Sequence, residues 1–314
     1  MNSRYYSARE GLEVRAMSAV AGAMERASWR TCRTTGTWLG LLFFHALKKR
    51  RSIAIDNIRQ ALGVSEIEAT RLTRRSYQNF AMTFCEFLHM RAASAAEVRE
   101  YSDIEDIAGI QRLREAGRGC ILLTAHIGNW EVMGARAAQE FPLSVIARPT
   151  GNSGIETHIA SVRASANMEV ISKYDPGRGA LQALRAGRAL GILPDQHAGA
   201  DGLLLPFFGR NTRVIPAVAR LAMLSGAAVA PRFGVRRTPW LADGRIIARA
   251  LPTWSVEKPE RHERDTAVEA GTRRMIADLE TIIRAHPDQW LWVHRRWRSE
   301  ENVATSTVET GRTS

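Results

Sequence analysis

From about residue 103 onward the chain alternates short apolar runs with helical patterns, and no other feature narrows the fold as far. Cys120–Thr124 reads as a buried strand and Trp130–Gln139 as a helix; Leu143–Ala147 is again a strand and Gly154–Ala166 a helix. Glu169–Ile171, Ala189–Leu193, Ala227–Phe233 and Ile246–Leu251 supply further strands, and Arg178–Ala186, Val214–Leu224 and Arg264–Ala285 further helices. Strands separated by helices of such length pair in parallel through crossover units. The expected fold class is therefore α/β, a largely parallel sheet flanked by helices. Its ligand crevice should lie beyond the carboxyl ends of the strands.

The first hundred residues follow a different pattern. They read as helical, with no convincing strand. Gly36–Leu47, Gly-Thr-Trp-Leu-Gly-Leu-Leu-Phe-Phe-His-Ala-Leu, is too short to span a bilayer and runs straight into Lys48, Lys49, Arg50 and Arg51. Two readings stand side by side: a helix lying in a membrane interface, or a buried amphipathic helix with a solvated basic end. Ile53–Met90 keeps helical spacing, and Ser65 followed by Glu68 suits a capping box. The organisation expected is a helical N-terminal region over 1–102 with an interfacial segment near 36–51, an α/β core over 103–300, and a polar, disordered tail over 301–314.

Composition adds one constraint. Lys and Arg total 44 against 32 Asp and Glu, a formal charge of +12. Such an excess points to an anionic partner: nucleic acid, a phospholipid surface, or an acidic protein or substrate. No nucleic-acid-binding module is recognisable, and the aromatics fall in apolar runs, so nucleic acid is disfavoured. Cys32, Cys85 and Cys120 form neither a metal spacing nor a disulfide framework. The first thirty residues lack the apolar core of a secretory signal. No G-x-x-x-x-G-K-[ST] loop is present, and no G-x-G-x-x-G follows a strand, so nucleotide use has no support.

Chemistry is concentrated in Thr124–Met133, Thr-Ala-His-Ile-Gly-Asn-Trp-Glu-Val-Met, where a strand gives way to a helix. Helix N-termini are electropositive and carry free N–H groups. A neutral His126 is able to remove a hydroxyl proton, and a carboxylate on its other nitrogen would fix the tautomer. Glu131 is the nearest carboxylate, five residues on. That spacing does not make neighbours on one helix, but it works if His126 lies on the turn, Glu131 lies in the first helical turn and Gly128 allows the bend. Asp195, in Leu-Pro-Asp-Gln-His, also follows a strand end, which would bring it into the same cleft.

The wider wording is more specific. Thr-Ala-His-Ile-Gly-Asn-Trp-Glu, Ala147-Arg148-Pro149, Leu193-Pro194-Asp195-Gln196, Pro206-Phe-Phe-Gly209 and the closing Gln289-Trp-Leu-Trp-Val-His-Arg-Arg-Trp297 occur in this order. With Asp56-Asn57-Ile58 and Phe84-Cys85-Glu86-Phe87, they make the chain resemble the bacterial late acyltransferases of lipid A synthesis, within the glycerolipid acyltransferase superfamily, over roughly residues 40–298. The resemblance implies acyl transfer from the thioester of acyl carrier protein to a hydroxyl of a membrane lipid, most naturally a lipid A precursor, at the cytoplasmic face of the inner membrane. Another glycolipid, a lysophospholipid, or water in a lipid hydrolase are the alternatives. His126 would be the general base and Glu131 the carboxylate that orients it. Arg163, Asp195 and Arg148 would serve substrate binding; Arg163 would hold a phosphate or the developing oxyanion, and Asp195 would anchor that arginine or order its loop. No cofactor and no metal are implied. One departure stands out: Asn152 lacks the proline that often follows it in this family, which bears on the acceptor.

Overall fold

The computed structural model describes residues 8–115, 117, 119–147, 152–171 and 176–297. The expected crossovers build a seven-stranded sheet in the order β1-β9-β8-β2-β5-β3-β4. Its strands are β1 (Ser102–Ile104), β2 (Cys120–Leu123), β3 (Leu143–Ile146), β4 (Met168–Ile171), β5 (Ala189–Ile192), β8 (Ala228–Arg236) and β9 (Ile246–Ala250). All neighbours are parallel except β8 and β9. β6 (Leu203–Phe207) and β7 (Arg210–Val214) form a separate antiparallel hairpin.

The central strand β2, Cys-Ile-Leu-Leu, is buried along its whole length, as a parallel strand covered on both faces must be. Alternate residues feed two cores. Ile121 and Leu123 join one cluster with α9 (Pro176–Arg185), α10 (Ala217–Ser225) and α11 (Arg264–Ala285). Cys120 and Leu122 join the other with α6 (Ile107–Glu115), α7 (Trp130–Ala138) and α8 (Ser153–Ser165).

The N-terminal helices belong to these cores. They are α1 (Ala8–Glu25), α2 (Trp29–Ala46), α3 (Lys48–Leu62), α4 (Glu66–His89) and α5 (Ala95–Tyr101). α4 contributes Ala69 and Leu72 to the first cluster and Cys85, Phe87 and Leu88 to the second. α2 lies hard against α4: a Cβ at Gly36 would sit 2.4 Å from the Met82 Cα, and one at Gly40 2.4 Å from the Gln78 Cα. The small residues of Gly36–Leu47 are thus used for helix packing. The opposite side of α2 leaves Trp38 68% exposed and also exposes Leu42, Phe43 and Leu47, ahead of exposed Lys48, Lys49 and Arg50. Among the described residues no helix is long and apolar enough to cross a membrane.

Several expectations are corrected. β1, α6 and the β6–β7 hairpin were not legible, and the helix expected from Val214 begins at Ala217, Val214 being the last residue of β7. Ser65 caps α4 through the Glu68 N–H, without the reciprocal bond; the complete capping box is Ser94 with Glu97 on α5. Residues 301–314 lie outside the described residues. Trp290 and Trp292 of the closing stretch are buried core residues.

Candidate active site

Two neighbouring strands bring the central pair together. β2 and β5 run side by side with Leu123 opposite Ile192. His126 and Asp195 are each the third residue beyond that pairing. His126 Nδ1 lies 2.9 Å from Asp195 Oδ1, and the His126 backbone N–H donates to Asp195 Oδ2 at 3.0 Å. The Trp290 indole N–H donates to the same Oδ2 at 2.8 Å. Burial alone would raise the Asp195 pKa, but the imidazole and these donors hold the carboxyl down at about 2. An ionised Asp195 requires the proton on Nδ1 and leaves Nε2 with its lone pair open to the cavity. Burial disfavours the imidazolium, yet the Asp195 charge and hydrogen bond outweigh it, with Glu131 adding to them, and the His126 pKa is raised.

Glu131, expected to orient His126, is engaged elsewhere. Arg163 Nη2 donates to Glu131 Oε1 at 2.6 Å and Nε to Oε2 at 3.2 Å; Trp130 Nε1 donates to Oε1 at 3.1 Å. The expected partners are therefore exchanged. Asp195, expected to anchor the arginine or order its loop, holds the histidine, and Glu131 holds Arg163. The cause is geometric. The five-residue step carries Glu131 into the first turn of α7, facing α8, while strand register delivers Asp195 to the Nδ1 edge of the ring. Glu131 acts on His126 through its charge alone. Burial works against the Arg163 cation, but Glu131 more than compensates and its pKa is raised. Trp130 completes the wall: its ring meets the His126 ring edge-on with centroids 5.0 Å apart.

The turn between His126 and Glu131 needs its glycine. Gly128 has φ of +56°, and a Cβ there would lie 1.8 Å from the Gly234 carbonyl oxygen. Asn129 then caps α7, its Oδ1 accepting the Val132 N–H at 3.0 Å.

His126, Glu131 and Arg163 border a cavity of about 1200 Å³. One limb runs between the sheet and α7, past Leu122, Met133, Gly134, Leu143, Met168 and Gly191. Another opens on the opposite face between α9 and α10, with Asp201 and Arg220 in its wall. Most of the lining is apolar, with His126, Glu131 and Arg163 at one place in the wall and Glu156, Asp201, Arg220 and Arg232 at others, a form that suits an amphiphilic ligand. The cysteines take no part: burial pushes the Cys32 thiol up to about 12 and those of Cys85 and Cys120 to about 11. Among the described residues no group of His, Cys, Asp and Glu is placed to hold a metal ion. Arg148 lies outside the described residues. Trp290 is the site residue that sequence reasoning missed. Its signal was present in the Trp-rich closing stretch, but nothing in that stretch says which indole reaches a carboxylate 95 positions earlier.

Comparison with known proteins gives the family. The chain is 26% identical over 267 residues to the lipid A biosynthesis palmitoleoyltransferase of Escherichia coli (strain K12), covering 84% of each chain. It is 22% identical to the lipid A biosynthesis lauroyltransferase of the same organism, again over 84% of each. It is also 26% identical over 165 residues to the phosphatidylinositol mannoside acyltransferase of Mycolicibacterium smegmatis, covering 51% of this chain and 54% of that protein. The family model described as bacterial lipid A biosynthesis acyltransferase matches residues 16–299. That span takes in the His126 turn, the Asp195 loop, the Arg163 helix and the Trp290 segment, and the chain belongs to the bacterial lipid A biosynthesis acyltransferase family.

Proposed function

We propose that the chain transfers a fatty acyl group from the thioester of acyl carrier protein to a hydroxyl of a lipid A precursor, at the cytoplasmic face of the inner membrane. The observation that carries this reading is the His126–Asp195 pair, which engages Nδ1 and leaves Nε2 as the base, in the wall of a largely apolar cavity. Nε2 takes the proton from the acceptor hydroxyl as its oxygen attacks the thioester carbonyl. Asp195 stabilises the imidazolium that forms. The carbon–oxygen bond is made, the carbon–sulfur bond breaks, and the imidazolium returns its proton to the departing thiolate. Arg163, held by Glu131, is the cavity-lining cation whose charge reaches His126, and it serves the oxyanion or a lipid phosphate. The apolar limb under α7 takes the acyl chain. No acyl-enzyme is required, because the lipid supplies the nucleophile.

The exposed Trp38, Leu42, Phe43 and Leu47, followed by Lys48, Lys49 and Arg50, suit a helix lying in an anionic membrane interface. The net charge of +12 suits the same surface and an acidic carrier protein. A second acceptor class, the mannosylated phospholipids, has support in the relative whose name gives that activity.

The deciding experiment incubates purified protein with acyl carrier proteins charged with chains of different lengths and with lipid A precursor, mannosylated phospholipid and lysophospholipid acceptors. The lipids are then analysed by mass. Acylation of the lipid A precursor, lost in His126→Ala, is the expected result. Release of free fatty acid with every acceptor left unmodified would make the protein a hydrolase and overturn the reading.

A further inference from the structure

Behind the turn that carries His126 and Glu131 lies a charge pair that borders neither the cavity nor His126. Glu86 of α4 and Arg236 of β8 are both fully buried. Arg236 Nη1 donates to Glu86 Oε1 at 2.8 Å and Nη2 to Oε2 at 2.6 Å. The Tyr101 hydroxyl also donates to Oε1, and Asn129 Nδ2 donates to Oε2 at 2.6 Å. The remaining guanidinium contacts go to Asn79 Oδ1 from Nε, and to the Tyr101 hydroxyl and the Gly244 carbonyl from Nη1.

A buried ion pair is a poor device for stability alone, because removing two charges from water costs about as much as their attraction returns. What such a pair supplies is direction, and here the direction is set by Asn129. Asn129 lies between His126 and Glu131. Its Oδ1 caps α7, its N–H donates to the Gly234 carbonyl at 2.7 Å, and its Nδ2 is fixed by Glu86. The neighbouring Gly128 carbonyl accepts from Asn79 Nδ2 and Thr83 Oγ1, and the Gly128 N–H donates to the Gln289 carbonyl. The Gln289 side chain in turn bonds both backbone groups of Arg236. The polar groups of Gly128 and Asn129 are thus tied to α4, β8, the 289 segment and α7 itself, and His126 faces the cavity.

We propose that Glu86 and Arg236 are positioning residues for acyl transfer, acting through Asn129 to fix the turn that holds His126 to Asp195 and Glu131 to Arg163. The inference rests on the acyl-transfer reading for its kinetic consequence, but its structural consequence is measurable without any substrate.

Two variants test it: Glu86→Gln and Asn129→Ser. Serine keeps the helix cap but is too short to reach Glu86, so Asn129→Ser tests the link even if Glu86→Gln does not fold. Each variant is first checked for a native circular dichroism spectrum at the assay temperature. The first readout is the titration of His126 by NMR in the free protein, assigned with His126→Ala. Loosening the Asp195 contact should move the His126 pKa down by about half a unit in both variants. The second readout is transfer from lauroyl-acyl carrier protein to a lipid A precursor. There kcat should fall about 10- to 100-fold with KM within about twofold. A folded variant of either kind with an unmoved His126 titration overturns the proposal. If the wild-type protein acylates nothing, the acyl-transfer reading falls, and the NMR titration alone decides whether the pair positions His126.

Discussion

Replacing Asp195 by asparagine is the sharpest perturbation of the site, because the surroundings dictate how the new side chain must sit. The oxygen at the Oδ2 position accepts two N–H groups, from the His126 backbone and from Trp290. Asparagine must therefore place its carbonyl oxygen there and its NH2 against His126 Nδ1. That forces the lone pair onto Nδ1 and the proton onto Nε2, so the atom facing the cavity is no longer a base. The charge is lost as well. With an effective dielectric near 20 and about 4 Å between charge centres, Asp195 stabilises the imidazolium by roughly 4 kcal/mol, about a thousandfold in rate. The expected result is a fall in kcat of at least about 10³-fold with the fold intact, measured as acyl transfer by mass analysis of the lipid product. The pH profile gives an independent check. His126 must be neutral to act, and its pKa is raised by Asp195, so the acidic limb of wild-type kcat/KM should lie higher than that of an ordinary histidine. Asp195→Asn should move that acidic limb downward. A variant within tenfold of wild type, or one whose acidic limb does not move, would refute the assignment of Asp195 as the partner of His126.

Three further perturbations follow from the geometry. Gly128→Ala places a methyl group against the Gly234 carbonyl oxygen in a left-handed conformation, and should destabilise the protein by about 3 kcal/mol or more, read as a fall in the denaturant midpoint. Gly191→Leu extends a side chain from β5 into the apolar limb, and should shift the acyl preference toward shorter chains in a competition between carrier proteins of different loading. The pair Trp38→Glu and Leu42→Glu removes the exposed apolar ridge of α2, and should abolish sedimentation with anionic vesicles while leaving the circular dichroism spectrum unchanged; persistent sedimentation would refute the interfacial role of that helix.

The sheet was legible because parallel strands buried on both faces leave unbroken apolar runs such as Cys120–Leu123, and helices between them leave a different period. β1 was not, because three residues, Ser102–Ile104, are too few to show any period; they become a strand only by pairing with Ile246–Ala248. The β6–β7 hairpin was missed for another reason. Its tip, Phe208-Gly209, has both residues at positive φ, and phenylalanine is not a residue that announces such a turn. At the site, His126 and Asp195 were each legible as residues just past a strand end, and their convergence in one cleft follows from that. Which carboxylate serves which cation was not legible. It depends on the β2–β5 register and on the direction in which α7 leaves its cap, and both are tertiary facts.

That exchange of partners alters the electrostatics of the proposed reaction. Had Glu131 held His126, Arg163 would have faced the cavity with its charge set by Asp195 from across the strand ends. As built, Asp195 holds the ring, Glu131 adds its charge from the next turn, and Arg163 is drawn to Glu131. The two carboxylates favour a proton on the ring more than Arg163 opposes it. When His126 accepts the acceptor's proton, positive charge appears beside Asp195 as negative charge develops on the thioester oxygen. Proton transfer and oxyanion formation then favour each other, because each lowers the electrostatic cost of the next. Arg163 can attend to the oxyanion without being drawn away by a second carboxylate, since Glu131 grips it through Nε and Nη2 and leaves Nη1 outside that grip. On this account the five-residue spacing between His126 and Glu131 exists to keep the two apart: one turn delivers a base to one carboxylate and a carboxylate to one arginine, with Asn129 fixed between them.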